Sequence, residues 1–254
     1  MSEELIQRAV QDLARSEYVI ALTGAGISVE SGIPPFRGKG GVWEKIDPME
    51  YATIEAFVRN PAKVWNGLIK EMNAVVGSAR PNAAHLGLAR LEELGIVKTV
   101  ITQNVDGLHQ KAGNKDVIEF HGNFAWQRCM DCNLRRPTAE VSMEQIPPRC
   151  DCGGIFRPEC IFFGEMIPPQ HLARSQTLAS RCDAILVIGT SAVVQPAAYI
   201  PVIAKQSGAV VIEINAEPTP LTGQVSDYRI GGSAGEVTTR IAAGLEGWPT
   251  PGPV

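Results

Sequence analysis

The sequence predicts an α/β protein with a doubly wound parallel sheet and a smaller inserted module. Short apolar stretches rich in β-branched residues recur along the chain, and helical patterns separate them. A polar or glycine-rich group follows each apolar stretch, which is typical of sheets that bind ligands at the carboxyl ends of their strands. Two segments, 39–80 and 125–157, interrupt the alternation and are the predicted insertions.

Five stretches are predicted to be buried parallel strands, because they are short, β-branched and bounded by turn residues. They cover residues 18–24, 97–104, 116–122, 184–190 and 209–215. The groups at their ends read TGAG, TQNVD, HGN, GTS and INAE. These groups are therefore expected to meet along one edge of the sheet.

The helices are predicted from apolar periodicity and from their caps. The N-terminal segment is amphipathic, and its apolar face consists of Ile6, Ala9, Val10 and Leu13. A helix over 82–94 begins at Asn82, a good N-cap, and stops at Gly95, which suits a left-handed C-terminal position. Residues 196–207 and 233–246 also have helical patterns, and 39–80 is helical without a strand.

Composition restricts the classes of function. The chain has 254 residues, 44% apolar and 20% charged, enough for one large domain or a large and a small one. Its formal net charge of -4 and the lack of a long basic run disfavour nucleic-acid binding. No signal-peptide pattern and no apolar stretch near the roughly 20 residues of a membrane span is present. We therefore expect a cytoplasmic protein without a direct nucleic-acid or membrane partner.

A glycine-rich loop, GAGISVESGIPPFRG, follows the first strand. Gly24, Ala25 and Gly26 would let backbone N–H groups approach phosphate oxygens, with Ser28 as a further hydroxyl donor. The usual G-x-G-x-x-G pattern is broken by Val29, and a tight structural turn explains a bare Gly-x-Gly equally well. The length of the loop favours a binding role.

Four cysteines have nearly the spacing of a structural zinc site. The candidate ligands are Cys129, Cys132, Cys150 and Cys152. Their spacing resembles the C-x2-C-x15-20-C-x2-C pattern, although the second pair is one residue short. Four thiolates would saturate Zn²⁺ and hold a small module together; free or disulfide-bonded thiols are the alternative. Cys160 and Cys182 are expected to be core residues, with Cys160 the nearest substitute if the short pair cannot close.

Polar side chains follow two neighbouring strands. Asn104 and Asp106 come just after one strand, and His121 ends the next. An amide, a carboxylate and an imidazole brought together could position a sugar and move a proton. Each of them alone is more often structural. The other histidines lie in or near helical patterns and are interpreted as structural: His85, His109 and His171.

Taken together, these features resemble the sirtuins, the NAD-dependent protein lysine deacylases. The resemblance extends from about residue 5 to residue 245 and consists of eight blocks in the family's order. The blocks are GAGISVESGIPPFRG, TQNVDGLH, FHG, the four cysteines, RPECIFFGE, GTSAVVQPA, INAEPT and GSAGEV.

The resemblance implies a Rossmann-like NAD-binding domain made of residues 1–38, 81–124 and 158–254. It also implies a helical insertion over 39–80 and a zinc-binding insertion over 125–157, with NAD as co-substrate and Zn²⁺ as a structural ion. Catalytic roles are implied for His121 and Asn104. The implied NAD site comprises Gly24, Ala25, Gly26, Phe36, Arg37, Gln103, Asn104, Asp106, Gly189, Thr190, Ser191, Asn215, Glu217 and Ala234. The implied site for an acyl-lysine protein or peptide comprises Phe163, Gly164, Glu165, Val193, Val194 and Gln195.

In the mechanism that the resemblance implies, the amide oxygen of acyl-lysine attacks C1′ of the nicotinamide ribose and nicotinamide leaves. His121 then helps the 2′-hydroxyl attack the resulting imidate, giving lysine and O-acyl-ADP-ribose. A protein ADP-ribosyltransferase on the same scaffold and a non-catalytic NAD-binding module are the alternatives.

Two departures from the family pattern bear on specificity. Pro35 stands where the family usually has Asp or Thr, so one N–H donor is missing from the loop. Leu68 and Glu71 align with a Tyr-x-x-Arg pair that binds acidic acyl groups in some sirtuins. Because a carboxylate would face Glu71, we predict weak desuccinylation and a preference for acetyl or longer apolar acyl groups.

Overall fold

The computed structural model describes residues 3–38 and 40–248. Its strands form two sheets, one with six strands and one with three. The strands are β1 (Val19–Thr23), β2 (Val97–Thr102), β3 (Val117–Glu119), β4 (Gly122–Cys129), β5 (Arg135–Pro137), β6 (Phe156–Cys160), β7 (Ala184–Ile188), β8 (Val210–Ile214) and β9 (Tyr228–Ile230).

The larger sheet is parallel and has the strand order β3-β2-β1-β7-β8-β9. The five predicted strands are confirmed as β1, β2, β3, β7 and β8. Strand β9 was not predicted, because Arg229 at its centre interrupts the apolar pattern of its three residues. All five residues of β1 are buried, as expected for a central strand covered on both faces.

Helices cover both faces of this sheet. The helices are α1 (Glu3–Arg15), α2 (Pro48–Tyr51), α3 (Ile54–Arg59), α4 (Pro61–Val64), α5 (Lys70–Ser78), α6 (Ala83–Glu93), α7 (Leu108–Ala112), α8 (Pro169–Ala179), α9 (Ile200–Gln206) and α10 (Ala234–Leu245). Side chains of α1, α6 and α10 pack on one face, and those of α8 and α9 pack on the other. The sheet is therefore doubly wound, as predicted. No helix within the described ranges combines the length and apolarity that a bilayer span requires.

The predicted helix boundaries follow from local hydrogen bonds. Asn82 caps α6, because its Oδ1 accepts from the N–H of Ala84 at 2.9 Å. The Asn82 amide also donates to the carbonyl oxygen of Ile27 at 2.8 Å, which ties the helix to the loop after β1. Gly95, just beyond α6, has a φ of +70°, as its predicted left-handed role requires.

The two segments that were predicted to be insertions differ in structure. Segment 39–80 contributes α2 to α5 and a π-helical turn, Trp65–Ile69, as the absence of strand patterns predicted. The cysteine-bearing segment belongs to the antiparallel sheet β5-β4-β6. This sheet extends beyond 125–157 at both ends, since β4 begins at Gly122 and β6 ends at Cys160.

Candidate active site

A cavity of about 830 Å³ opens at the carboxyl ends of β1, β2, β7 and β8. One wall consists of the residues that follow these strands: 24–26, 103–105, 189–191, 215 and 217–220. The opposite wall comes from the helical segment and from residues 160–167. A cleft of this size at strand ends, between the main sheet and the smaller segments, is where an α/β protein binds a ligand.

The glycines after β1 are needed because two loops touch. A Cβ on Gly26 would lie 2.7 Å from the carbonyl oxygen of Gly189, and one on Gly24 would lie 2.8 Å from Cβ of Thr190. Gly189 itself has a φ of +58° and leaves no room for a side chain, since its Cβ would lie 2.3 Å from the Ile27 nitrogen. Loop packing thus requires glycine at these positions whatever ligand the cavity takes.

Asn104 is held in a buried hydrogen-bond network at the cavity wall. Its amide donates to the carbonyl oxygen of Gly24 at 3.1 Å and to Oγ of Ser28 at 3.0 Å. The Ser28 hydroxyl in turn donates to Oδ2 of Asp106 at 2.7 Å. Ser28 is therefore committed to this network, not to a phosphate as the sequence suggested. Asn104 lines the cavity, whereas Asp106 lies behind it, linked through Ser28.

His121 lines the same cavity, and its tautomer follows from its partner. Nδ1 lies 3.0 Å from the carbonyl oxygen of Gln103, which can only accept, so Nδ1 carries the proton. Nε2 of the neutral ring is then the nitrogen with a free lone pair. Burial lowers the pKa of His121, and the bond to the Gln103 carbonyl only partly opposes this. The imidazole is thus a neutral acceptor at ordinary pH.

Two further histidines lie behind this wall. His109 approaches Oγ1 of Thr23 at 2.9 Å through Nε2, and its ring meets that of His85 edge-on, with centroids 4.9 Å apart. Burial lowers the pKa of His85 to about 4 and that of His109 to about 3. Neither lines the cavity, in agreement with their structural interpretation.

The loop that carries Phe36 and Arg37 folds over the cavity. The carbonyl oxygen of Pro35 accepts from the N–H of Val42 at 2.9 Å, so Pro35 takes part through the group that proline retains. The ring of Phe36 stacks on Trp43, with centroids 5.2 Å apart. Trp43 also lines the cavity. It lies in the helical segment, away from the strand ends, so no sequence pattern indicated its place in the site.

Residues 163–165 form one edge of the opening. Phe163 pairs with the helical segment, since its N–H donates to Ala52 and its carbonyl accepts from Ile54, at 2.9 and 3.0 Å. Glu165 makes a bidentate ion pair with Arg157, at 2.6 and 2.7 Å. The Glu165 carboxylate is therefore engaged within the loop.

The helical segment supplies an apolar wall of Leu68, Ile69 and Met72. Leu68 takes the predicted position, but Glu71 is exposed and does not line the cavity. The predicted repulsion of an acyl carboxylate by Glu71 is therefore wrong. This wall instead offers an acyl carboxylate only apolar contacts.

Most of the residues singled out from the sequence line one cavity. Those that do so are Gly24, Ala25, Gly26, Phe36, Arg37, Gln103, Asn104, His121, Phe163, Gly164, Glu165, Gly189, Thr190, Ser191, Val194, Gln195, Asn215 and Glu217. Among the described residues implied for the NAD and peptide sites, three do not line it: Asp106, Val193 and Ala234. Val193 is exposed, and Ala234 is buried at the start of α10.

The four predicted cysteines converge at the end of the antiparallel sheet. Their Sγ atoms all lie within 4.8 Å of one another, and Cys129 and Cys152 approach to 3.5 Å, Cys132 and Cys150 to 3.7 Å. A tetrahedral Zn²⁺ with four thiolates separates its sulfurs by about 3.8 Å, so the set fits zinc. The short second pair closes, and Cys160 lies outside the cluster, buried in the core.

Comparison with known proteins agrees with this architecture. The model of the Sir2 family matches residues 24–196. NAD-dependent protein deacylase 1 of Archaeoglobus fulgidus is 49% identical over 239 residues, covering 92% of this chain and 96% of the relative. The NAD-dependent protein deacylase of Pyrococcus furiosus is 48% identical over 235 residues, covering 90% and 93%.

Solved structures give the same result. A Sir2 homologue in complex with NAD has a TM-score of 0.87 and 46% identity, covering 97% of this chain and 94% of that one. A complex of Sir2 with a p53 peptide and NAD⁺ has a TM-score of 0.86 and 35% identity, covering 96% and 98%. The fold and the cleft define a class of α/β protein with a nucleotide-sized site at its strand ends and a four-cysteine module. Within that class, the chain belongs to the Sir2 family.

Proposed function

We propose that this chain is an NAD-dependent protein lysine deacylase that removes acetyl or longer apolar acyl groups and releases nicotinamide and O-acyl-ADP-ribose. The observation that carries the proposal is the pairing of Asn104 with His121 in one cavity, with Nδ1 of His121 occupied by the Gln103 carbonyl. The function stated in the names of the relatives supports the same reaction.

The residues present suit a dinucleotide. Arg37 supplies a cation at the cavity, and Thr190 and Ser191 supply backbone N–H groups and hydroxyls for the phosphates. The N–H of Gly189 is already donated to the carbonyl oxygen of Ile214 at 3.0 Å. Asn215 and Glu217 would hold the adenosine ribose, with Ala234 placed near the adenine. Ala25 and Phe36 would line the site beside Gly24 and Gly26. The nicotinamide and its ribose would be held by Gln103, Asn104 and Asp106. Asp106 would act through Ser28, since it lies behind the wall.

His121 would act as the general base. NAD, when bound, supplies an electrophilic ribose carbon to which the acyl amide oxygen bonds as nicotinamide departs. Nε2 of His121 then accepts a proton from a ribose hydroxyl, because Nδ1 is held protonated by the Gln103 carbonyl. Since burial lowers the pKa of His121, the base stays neutral below the ordinary titration range of histidine. We expect activity to persist in mildly acidic buffer and to fall as the pH passes below that lowered pKa.

The acylated peptide would lie between residues 163–165 and 193–195. Phe163 uses both its backbone groups on the helical segment, so Gly164, with a φ of +89°, would present its own to the peptide. Val194 and Gln195 line the facing edge of the cavity, and Val193 is exposed beside them. The acyl chain would then contact the apolar wall of Leu68 and its neighbours.

The chain would be divided into one domain and two insertions. Residues 1–38, 81–124 and 158–254 would form the NAD-binding domain, 39–80 the helical insertion and 125–157 the zinc-binding insertion. With four thiolates, Zn²⁺ would be coordinatively closed and structural, remote from the reaction. The proposed partner is an acyl-lysine protein or peptide in the cytoplasm, without a direct role for nucleic acid or a membrane.

The test compares the wild type with His121→Ala, incubated with NAD and a panel of acyl-lysine peptides. His171→Ala is the matched control, because His171 does not line the cavity. Mass spectrometry should find nicotinamide and O-acyl-ADP-ribose from the wild type and the control, and a loss of about 100-fold or more in the His121 variant.

Binding of NAD to the His121 variant, measured by calorimetry, should remain. Equal turnover by all three proteins would contradict the proposal. Labelled NAD incubated with unacylated protein distinguishes the ADP-ribosyltransferase, because only that enzyme leaves a stable label on protein.

A further inference from the structure

Glu213 of β8 is a fully buried carboxylate that the proposed reaction does not use. Its side chain lies on the same sheet face as Val211 and Val187, which are both apolar and buried. Its exposed fraction is 0%. A carboxylate in such surroundings is costly unless hydrogen-bond donors satisfy its oxygens, so the donors indicate what it holds.

Three hydroxyls donate to this carboxylate. Thr219 donates to Oε1 at 2.7 Å, Thr222 donates to Oε2 at 2.7 Å and Ser226 donates to Oε2 at 3.1 Å. All three belong to the loop between β8 and β9. Glu213 thus joins the rigid sheet to three separate points of one irregular segment.

The same hydroxyls organise the loop backbone. Oγ1 of Thr219 accepts from the N–H of Leu221 at 3.1 Å, and Oγ1 of Thr222 accepts from the N–H of Thr219 at 2.9 Å. Because each hydroxyl proton is directed at Glu213, each oxygen lone pair is left to face a backbone N–H. The carboxylate therefore fixes both the position and the internal hydrogen bonds of this stretch.

This stretch is part of the cavity wall, to which residues 217–220 contribute. Its first residues are held separately, since Arg229 donates to the carbonyl oxygens of Asn215 at 2.8 Å and Ala216 at 3.2 Å. The Asn215 amide donates to the carbonyl oxygen of Thr190 at 2.8 Å. Glu217, which is exposed, thus lies between two anchors, one at Arg229 and one at Glu213.

We propose that Glu213 is a positioning residue for the adenosine half of NAD, acting by holding residues 217–220 at the cavity. This inference rests on the proposed function. Glu213 is buried beneath the loop and acts through Thr219 and Thr222, so it should govern nucleotide affinity and leave the chemical step unchanged.

The experiment measures kcat, KM for NAD and KM for an acetyl-lysine peptide, together with calorimetric binding of ADP-ribose. Glu213→Ala should raise KM for NAD and Kd for ADP-ribose by about tenfold or more, because it leaves three partly buried hydroxyls without their acceptor. Its kcat at saturating NAD and KM for peptide should stay within about twofold of wild type. Glu213→Gln should restore part of the affinity, since its amide can accept from one hydroxyl and donate to another.

Two matched variants separate positioning from general destabilisation. The double variant Thr222→Val, Ser226→Ala removes both donors to Oε2 without altering a cavity-lining residue. It should also raise KM for NAD and Kd for ADP-ribose. If Glu213→Ala does not fold, the double variant tests the inference in its place. Thr99→Val is the control, because the buried Thr99 hydroxyl also donates to a carboxylate, that of the partly exposed Asp116 at 2.6 Å, but lies outside the cavity. It should leave both constants unchanged.

The inference would be overturned if Glu213→Ala and the double variant both bound ADP-ribose and NAD as tightly as the wild type. A loss confined to kcat would overturn it as well. A wild-type protein that binds no ADP-ribose and releases no nicotinamide would overturn the proposed function instead.

Discussion

Replacing His109 by glutamine should remove part of the protein's sensitivity to acid. His109 is 1% exposed, and its Nε2 lies 2.9 Å from Oγ1 of Thr23. Burial, together with the nearby ring of His85, lowers the pKa of His109 from 6.5 to about 3. Between pH 6.5 and about pH 3, His109 is therefore neutral in the folded protein and protonated in the unfolded chain.

Protonation of the unfolded chain sets the direction of this pH effect. The stabilisation due to neutral His109 is complete above pH 6.5 and declines as the pH falls towards the folded-state pKa, because the unfolded state binds more protons there. Each pH unit within that window is worth about 1.4 kcal/mol. Acidification to pH 4.5 should thus cost the wild type about 3 kcal/mol through this residue alone.

The assay is urea unfolding of wild type and His109→Gln at pH 7.5 and pH 4.5, followed by tryptophan fluorescence. The glutamine amide can donate to Oγ1 of Thr23 but does not titrate, so the difference at pH 7.5 measures the altered packing. The variant should lose about 2–3 kcal/mol less than the wild type on acidification. Release of zinc at low pH affects both proteins alike and cancels in the comparison. Parallel losses in the two proteins would refute a strongly depressed pKa.

Three further predictions concern other parts of the molecule. Cys132→Ser should lower bound zinc, measured by atomic absorption, and lower the unfolding temperature, whereas Cys182→Ser should leave the zinc content unchanged, because Cys182 lies outside the cluster. Gly26→Ala should destabilise the protein by about 1–3 kcal/mol in urea unfolding, since its Cβ would meet Gly189 backbone at 2.7 Å. Succinyl-lysine should be deacylated far more slowly than acetyl-lysine on the same peptide, because the wall of Leu68, Ile69 and Met72 offers no cation; equal rates would contradict this.

Most of the main sheet could be predicted, because five of its strands have an apolar, β-branched pattern that is recognisable within a few consecutive residues. Each of the five predicted strands is short, apolar and β-branched. In the central strands β1 and β7 every residue is buried, and this burial on both faces explains an apolar pattern that is visible without the fold. Strand β9 consists of Tyr228, Arg229 and Ile230, and its central arginine breaks the apolar run, so no local pattern marks it. The short second cysteine pair could not be judged from spacing either, since its closure depends on the backbone conformation around Gly153, whose φ is +92°.

Site residues could be predicted where they directly follow a strand, but not where tertiary packing brings them to the cavity. Residues that directly follow strands, such as Asn104 and His121, could be placed together because parallel strands share one edge. Trp43 and Met72 come from the helical segment, and only its packing against the sheet brings them to the cavity. Glu71 was misplaced because sequence spacing does not fix the direction of a side chain next to a π-helical turn, which changes the helical register.

The strand order has a consequence for synthesis on the ribosome. Strand β1 emerges first, yet it occupies the middle of the sheet and needs β7, some 160 residues later, as its second neighbour. Until that part of the chain has left the exit tunnel, β1 exposes an unpaired apolar edge. The protein therefore has to tolerate a long interval in which its earliest strand is vulnerable to association with other nascent chains, and chaperone dependence should concentrate in that interval.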